Sequence, residues 1–332
     1  MRILITGGAG FIGSYVARHM VREGHEVVIA DKFTYAGKGR NLAPILKEVQ
    51  LLIGDLAVGD LAQRCAETYP EWVVHMAANT HVDRAIADPE SFMWSNVLGT
   101  TRLLQALWRE GQACPLRPTK ILVYSTDEVY GPTPSGVTFD EAAPFKASNA
   151  YSASKVGVEG IAHSFWITHQ MPIVVVRPCN TYAPGQHPEK VIPKFVQQLL
   201  RGGLLTVYND GHGSRDWLHA TDHARAVETL LRHGVPGEAY NLAAGEEHTD
   251  LEIASRVYEV VTGQPVGIDP STLPLRFQHG RPGHDRRYAM DGAKLRALGW
   301  APQVPFAEGF TETVRWNLAH QDWWAHDRVE GV

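Results

Sequence analysis

Over the first half of the chain, short aliphatic runs alternate with longer stretches whose apolar positions recur every three or four residues. The runs at 2–6, 25–30, 49–53, 72–76, 121–124 and 173–176 read as strands buried on both faces, as in a parallel sheet. Between them, 14–23 reads as a helix stopped by Gly24, and 96–110 and 151–169 carry helical spacing. Strand–helix alternation of this kind predicts a doubly wound α/β sheet with helices on both faces. After Arg177 the rhythm breaks into Pro- and Gly-rich loops, with helices expected at 192–201, 221–232, 251–262 and 306–320 and a strand at 238–242. The expected organisation is a first domain over 1–176, to which 220–244 returns, and a smaller α/β domain over 177–332 laid across the crevice.

Composition narrows the classes without choosing among them. At 332 residues, with 44% hydrophobic and 20% charged positions, the chain has ample material for a soluble core. A net charge of −5 offers no field for nucleic acid or an anionic membrane, so an anionic ligand has to be held by local Lys and Arg. Cys65, Cys114 and Cys179 have no metal-ligand spacing and suit a reducing compartment. Cys179 is expected to be a small buried residue rather than a reactive thiol. The strand-like opening leaves no signal peptide to expect, and no run approaches membrane-spanning length, so the expectation is a cytoplasmic protein.

The first candidate chemistry joins the first strand to the first helix: Thr6-Gly7-Gly8-Ala9-Gly10-Phe11-Ile12-Gly13. Gly7 permits a tight turn, Gly10 lets backbone approach a pyrophosphate, and Gly13 lets helix and strand pack closely. The pyrophosphate then meets the free N–H groups of a helix N-terminus. Asp31 ends the next strand at the spacing of a Rossmann-type dinucleotide fingerprint, where it accepts from the adenosine ribose and disfavours a 2′-phosphate. NAD is therefore expected over NADP, although Lys32 places a cation beside that ribose. Asp55 closes the third strand, either to reach the adenine amino group or as an ordinary loop residue.

The second is Ser125-Thr126-Asp127-Glu128, directly after an apolar strand whose carboxyl end should open onto the ligand crevice. A hydroxyl and two carboxyls there can bond a sugar hydroxyl, donate one proton and accept another, or merely cap a turn. Downstream, Tyr151 and Lys155 stand four apart on one helix face, so that an ammonium beside the phenol would bring it toward use as a base.

With these motifs, the sequence resembles the extended short-chain dehydrogenase/reductase family, specifically its nucleotide-sugar 4,6-dehydratases. The likeness runs through Asp31 to Gly37, Thr80 to Arg84, Thr126-Asp127-Glu128, Tyr151 to Lys155, Asn180, His187 to Pro193, Arg215-Asp216-Trp217 and Arg281 to Asp285. It implies an NAD-dependent hydro-lyase acting on a nucleoside-diphosphate hexose, with dTDP-glucose the expected substrate. Tyr151 would take the 4-hydroxyl proton, Glu128 the C5 proton, and Asp127 would protonate the departing 6-hydroxyl; Thr126 would bond the sugar and Lys155 would orient Tyr151 and the nicotinamide ribose. The cofactor set it implies adds Phe11, Ile12, Thr34, Leu56, Ala77, Ala78, Thr80 and Ser95. The substrate set is Thr80, Thr126, Asn180, Lys190, Val191, Thr206, Tyr208, Arg215, Asp250, Arg281 and His284, with surface salt bridges the plainer roles for Arg215 and Arg281. No metal is implied, and helices 96–110 and 151–169 would pair in a homodimer.

Thr181, Ala183 and Asp250 depart from the resembled pattern, as does Pro178-Cys179, which bears on the identity of nucleotide or sugar more than on the reaction. A UDP-sugar 4-epimerase has no need of the Asp127–Glu128 pair, and a UDP-glucuronate decarboxylase needs a cation for the substrate carboxylate. A non-catalytic NAD-binding regulator would be expected to lack Tyr151, Lys155 or the acids.

Overall fold

The aliphatic runs pair where the alternation of their side chains lets both sheet faces be covered. The computed structural model describes residues 1–114, 117–267, 269–280 and 282–323. Its strands are β1 (Arg2–Thr6), β2 (Glu26–Asp31), β3 (Val49–Ile53), β4 (Trp72–His75), β5 (Lys120–Tyr124), β6 (Ile173–Pro178), β7 (Asn180–Tyr182), β8 (Leu205–Tyr208), β9 (Ser214–His219), β10 (Ala239–Leu242), β11 (Glu247–Thr249) and β12 (Leu275–Gln278). Seven of them form one parallel sheet in the order β10-β6-β5-β4-β1-β2-β3. The winding reverses between β1 and β4, and the carboxyl ends on either side of that point frame the crevice in such sheets.

Successive strand residues point to opposite faces, and two cores result. Ile3, Ile5, Val27 and Ile29 pack on one side. Helices α1 (Phe11–Arg22) and, far along the chain, Ala220–His233 cover that side with Val16, Met20, Val227 and Leu230. Leu4, Val28 and Ala30 face the other side, beneath Leu103 and Leu104 of α2 (Gly99–Ala113) and Val158 and Ala162 of α3 (Ala150–His169). The remaining long helices are α4 (Val191–Leu200), α5, the Ala220–His233 helix just described, α6 (Asp250–Thr262) and α7 (Phe306–Ala319).

The second half also holds structure that its hydrophobic pattern does not announce. β11-β9-β7 form a three-stranded sheet and β12-β8 a parallel pair, both of strands six residues or shorter. Together with α4, α6 and α7 they enclose a third core around Phe195, Trp217, Ile253 and Phe310. Helix α1 begins three residues before the expected 14–23, because the glycine run itself supplies its first turn and Gly10 its N-cap. α2 is preceded by a π-helical stretch, Met93–Leu98.

One buried ion pair ties the sheet to the acid-bearing turn that follows β5. Arg177 of β6 donates to Glu159 of α3 at 2.6 Å, to the Tyr130 hydroxyl and to the Glu141 carbonyl. Both charged side chains are only 6% exposed. Tyr130 in turn donates to Asn241 of β10 at 2.7 Å. Removing one partner of a buried pair strands the other charge, at a cost of about 3–5 kcal/mol. Arg177→Met is therefore expected to lower the unfolding free energy by that order, whereas Arg177→Met with Glu159→Met should recover much of the loss. A chemical-denaturation series in which the double variant is as unstable as the sum of the singles would refute the pairing.

Candidate active site

The turn from β1 to α1 is shaped by crowding. Gly7 has φ +72°, and a Cβ there would lie 2.8 Å from Ala77 N; one on Gly13 would lie 2.2 Å from the Gly7 carbonyl. No side chain caps the N-terminus of α1, so its first-turn N–H groups remain for a ligand. Asp31 closes β2 beside this turn, with one carboxyl oxygen accepting from Ala9 N (3.0 Å) and the other from Phe33 N (2.8 Å). Burial raises its pKa, against the pull of those backbone bonds and of Lys32. A carboxylate has further lone pairs, so Asp31 both fixes the loop and retains acceptor capacity. Lys32 extends to Asp55 (3.2 Å) and Ser95 (3.4 Å), which joins the ends of β2 and β3. The glycine cradle, the free helix end and the strand-end carboxyl fit a dinucleotide.

At the end of β5, Thr126 caps the short helix Asp127–Tyr130 by accepting from Glu128 N at 3.3 Å, and donates to Asp127 at 3.0 Å. The hydroxyl, rather than either acid, is therefore the cap. Burial pushes Asp127 up to about 7, with the Glu128 charge adding and the Thr126 hydrogen bond opposing. Glu128 differs in environment: it accepts from Asn149 Nδ2 at 3.1 Å. Asn149 is itself the N-cap of α3, in a reciprocal capping box with Ser152, so one residue both starts the helix bearing Tyr151 and holds Glu128.

Tyr151 departs from expectation. Its phenol is raised well above the usual range by burial and then by Glu128, with a Thr126 hydrogen bond lowering it. Lys155 donates to the Tyr124 carbonyl at 2.9 Å, and burial brings it down to about 8. A buried Asn96, in the π-helical stretch, bridges the Asn79 backbone to Ser154 on α3 (2.7 and 2.9 Å), locking the wall at 77–80 to the Tyr–Lys helix.

The opposite wall comes from the second half. Lys190 is the N-cap of α4 and Val191 its first residue. One turn on, Lys194 lies 5.8 Å over the Tyr208 ring, which meets His284 edge-on at 4.8 Å. Thr206 exchanges two hydrogen bonds with Gln198. Arg215 is not a free surface residue: it donates to the carbonyls of Ser214, Asp285 and Arg286 and stacks 4.4 Å over Tyr288. Burial pushes Asp250 up to about 6, with Arg215 and Lys194 pulling the other way. Cys179 is buried, and its thiol is pushed well above its usual range.

These residues meet in a single cleft of about 500 Å³. The glycine turn with Phe11 and Ile12, Asp31, Lys32, Thr34, Asp55, Leu56, Ala77, Ala78, Thr80 and Ser95 line one part. Thr126, Asp127, Glu128, Tyr151 and Lys155 line its middle, and Asn180, Lys190, Val191, Thr206, Tyr208, Arg215, Asp250 and His284 the rest. Arg281 lies outside the described residues. Sequence reading missed Lys194, Trp217 and Tyr288, which also line the cleft. Lys194 was within reach of the sequence, one helical turn from Lys190; Trp217 reaches the cleft from β9 and Tyr288 from the loop after β12. Among the described residues no cluster of His, Cys, Asp or Glu is set to hold a metal.

Comparison with known proteins agrees with this geometry. The family model described as GDP-mannose 4,6 dehydratase matches residues 4–313. A dTDP-glucose 4,6-dehydratase of Streptomyces niveus is 40% identical over 98% of this chain and 95% of its own. One from Escherichia coli is 36% identical over the same shares. The solved dTDP-glucose 4,6-dehydratase DesIV of Streptomyces venezuelae, with NAD bound, superposes with a TM-score of 0.89 at 39% identity, covering 98% of this chain and 99% of that one. A Thermus thermophilus UDP-glucose 4-epimerase with NAD follows at 0.85 and 30%, covering 96% and 99%. The shared architecture thus spans two reactions, but the match of the family model along nearly the whole sequence is decisive for kinship: this chain belongs to the GDP-mannose 4,6-dehydratase family.

Proposed function

We propose that the chain is an NAD-dependent nucleotide-sugar 4,6-dehydratase that converts an NDP-glucose, dTDP-glucose first among them, to the NDP-4-keto-6-deoxy sugar. The observation that carries this reading is the pair of adjacent carboxyls in unlike environments, Asp127 buried and pushed up to about 7, Glu128 held by Asn149. Two carboxyls side by side, one buried and one tethered by an amide, suit a division of proton transfers between them on one substrate. The named activities of the relatives support the same substrate class. The reading assigns residues 1–176 and 220–244 to the dinucleotide and 177–332 mainly to the sugar nucleotide. It also carries a cytoplasmic homodimer, supported by exposed Met93, Trp94 and Ile167 beside α2 and on α3.

Bound NAD⁺ would supply the acceptor for hydride from C4 and, once reduced, its donor to C6. Gly7, Gly10 and Gly13 admit its pyrophosphate and Asp31 its adenosine ribose. Tyr151 takes the 4-hydroxyl proton, positioned by Thr126. Lys155, one turn further on the same helix and anchored on the Tyr124 carbonyl, is the residue that would orient Tyr151 and the nicotinamide ribose. With C4 a ketone, the C5 proton is acidic and passes to Glu128. Asp127, protonated, gives its proton to the 6-hydroxyl as it leaves as water. Glu128 then returns a proton to C5. Lys190, Lys194 and Arg215 provide positive charge for the diphosphate, and Tyr208 a flat surface for the base.

Incubation with dTDP-glucose should give a product lighter by one water, without added nicotinamide and without net reduced cofactor accumulating. One reduced nicotinamide per product would mark a simple dehydrogenase instead. Glu128→Gln keeps shape but removes the C5 base, so product formation should fall by about 10²–10⁴-fold, and C5 exchange with deuterated solvent should disappear. Asp127→Asn should slow water loss while leaving that exchange. Unchanged turnover in Glu128→Gln would turn the reading toward an epimerase.

Asp127 must be protonated to act, and it is raised to about 7. The rate of water loss should therefore hold below that pH and decline as pH rises through it. A pH–rate profile of Asp127→Asn should lose that descending limb. Asp31→Ala should weaken NAD and narrow the preference against NADP; equal affinities in variant and parent, by fluorescence titration, would undo the cofactor assignment.

A further inference from the structure

Asp250 opens α6 on the substrate side of the cleft, yet the cap of that helix is made without it, by the reciprocal bonds of Thr249 and Glu252. Its N–H donates to the Gly213 carbonyl at 2.9 Å, which fixes it against the wall that carries Arg215. A Cβ on Gly213 would come within 3.3 Å of its carboxyl, so the loop packs close on one side, and Asp250 lines the cleft. The charges that act on it are Arg215 from β9 and Lys194 from α4.

The other charged groups nearby are engaged elsewhere. Arg286 pairs with Asp210 at 2.8 Å, and Asp285 accepts from Ser148 and Tyr288. His248 of β11 faces Glu246 and Glu252, His284 meets Tyr208, and Asp83 acts on Lys194 from across the cleft. One carboxyl therefore stands beside two of the cations, Arg215 and Lys194, at the place that, on the dehydratase reading on which this inference rests, receives the diphosphate. Ionised, Asp250 offsets part of that positive charge and faces an anion; protonated, it leaves the cations to the ligand and offers a hydrogen-bond donor to a phosphate oxygen.

We propose that Asp250 takes up a proton when a sugar nucleotide binds, so that its protonation sets the affinity for the diphosphate. Burial has already raised the group to about 6, and a neighbouring anion raises it further. The protonated carboxyl favours the ligand, so affinity is highest below about 6 and declines as pH rises through the higher pKa of the complex.

The test is calorimetric titration of the holoenzyme with dTDP-xylose, which lacks the 6-hydroxyl that the reaction expels and whose bridging phosphates do not titrate near neutrality. Linkage to one proton allows at most about tenfold in affinity per pH unit. Parent affinity should fall by about tenfold between about pH 6 and pH 8, with proton uptake visible as a dependence on buffer ionisation heat. Asp250→Asn should bind about tenfold more tightly than the parent at the upper pH and lose most of the dependence. Asp250→Ser, which keeps a good first-turn residue, should do the same and guards against a misfolded Asn variant. If both variants keep the parent's pH slope and proton uptake, the inference is overturned while the sugar-nucleotide reading stands. If neither parent nor variants bind dTDP-xylose at any pH, the sugar-nucleotide reading falls, and the inference with it.

Discussion

Two carboxyl groups on adjacent residues, one of them out of water, are the constraint around which the cleft is organised. Burying a carboxylate without compensation is costly, and the group answers by holding its proton. Asp127 does so at the end of a strand whose neighbours are fully buried, with the Thr126 hydroxyl as its donor. Glu128 turns the other way and accepts from Asn149. The separation between the two depends on the turn 126–130 staying where it is. That turn is secured by Tyr130, Arg177 and Glu159, none of which needs to touch a ligand.

The parts of this arrangement that could be read from the sequence are those whose physics is local. The strands β1 to β6 are continuous apolar runs, and the glycines of the first turn are required by contacts with Ala77 and with Gly7 itself. Tyr151 and Lys155 share a helix face by spacing alone. The acid pair was visible as a polar step at the end of an apolar strand, although its division into a buried and a tethered member was not, since that depends on Asn149, twenty-one residues on. The phenol was misjudged for the same reason: spacing places Lys155 near Tyr151, whereas the fold sends its ammonium to the Tyr124 carbonyl and brings Glu128 closer in effect.

The substrate wall was harder to read. Its strands are short, and strands of three or four residues carry too little periodicity to stand out among Gly and Pro. Tyr288 reaches the cleft because β9 and the chain after residue 282 converge on it, a long-range arrangement with no local mark. Arg215 was recognised as a cation of the site, but its three carbonyl partners show that it also braces the wall it belongs to.

The sheet is completed late. β6 ends at Pro178, and its outer neighbour β10 begins only at Ala239, after α4, β8, β9 and α5 have been made. Until then β6 presents an unpaired edge of Ile173-Val174-Val175-Val176, a β-branched template of the kind that recruits other chains. A nascent chain made at about 5–20 residues per second keeps that edge open for several seconds. The insertion that brings substrate-binding residues to the cleft therefore lengthens the interval in which that edge stands open to other chains, until residues 239–242 cover it.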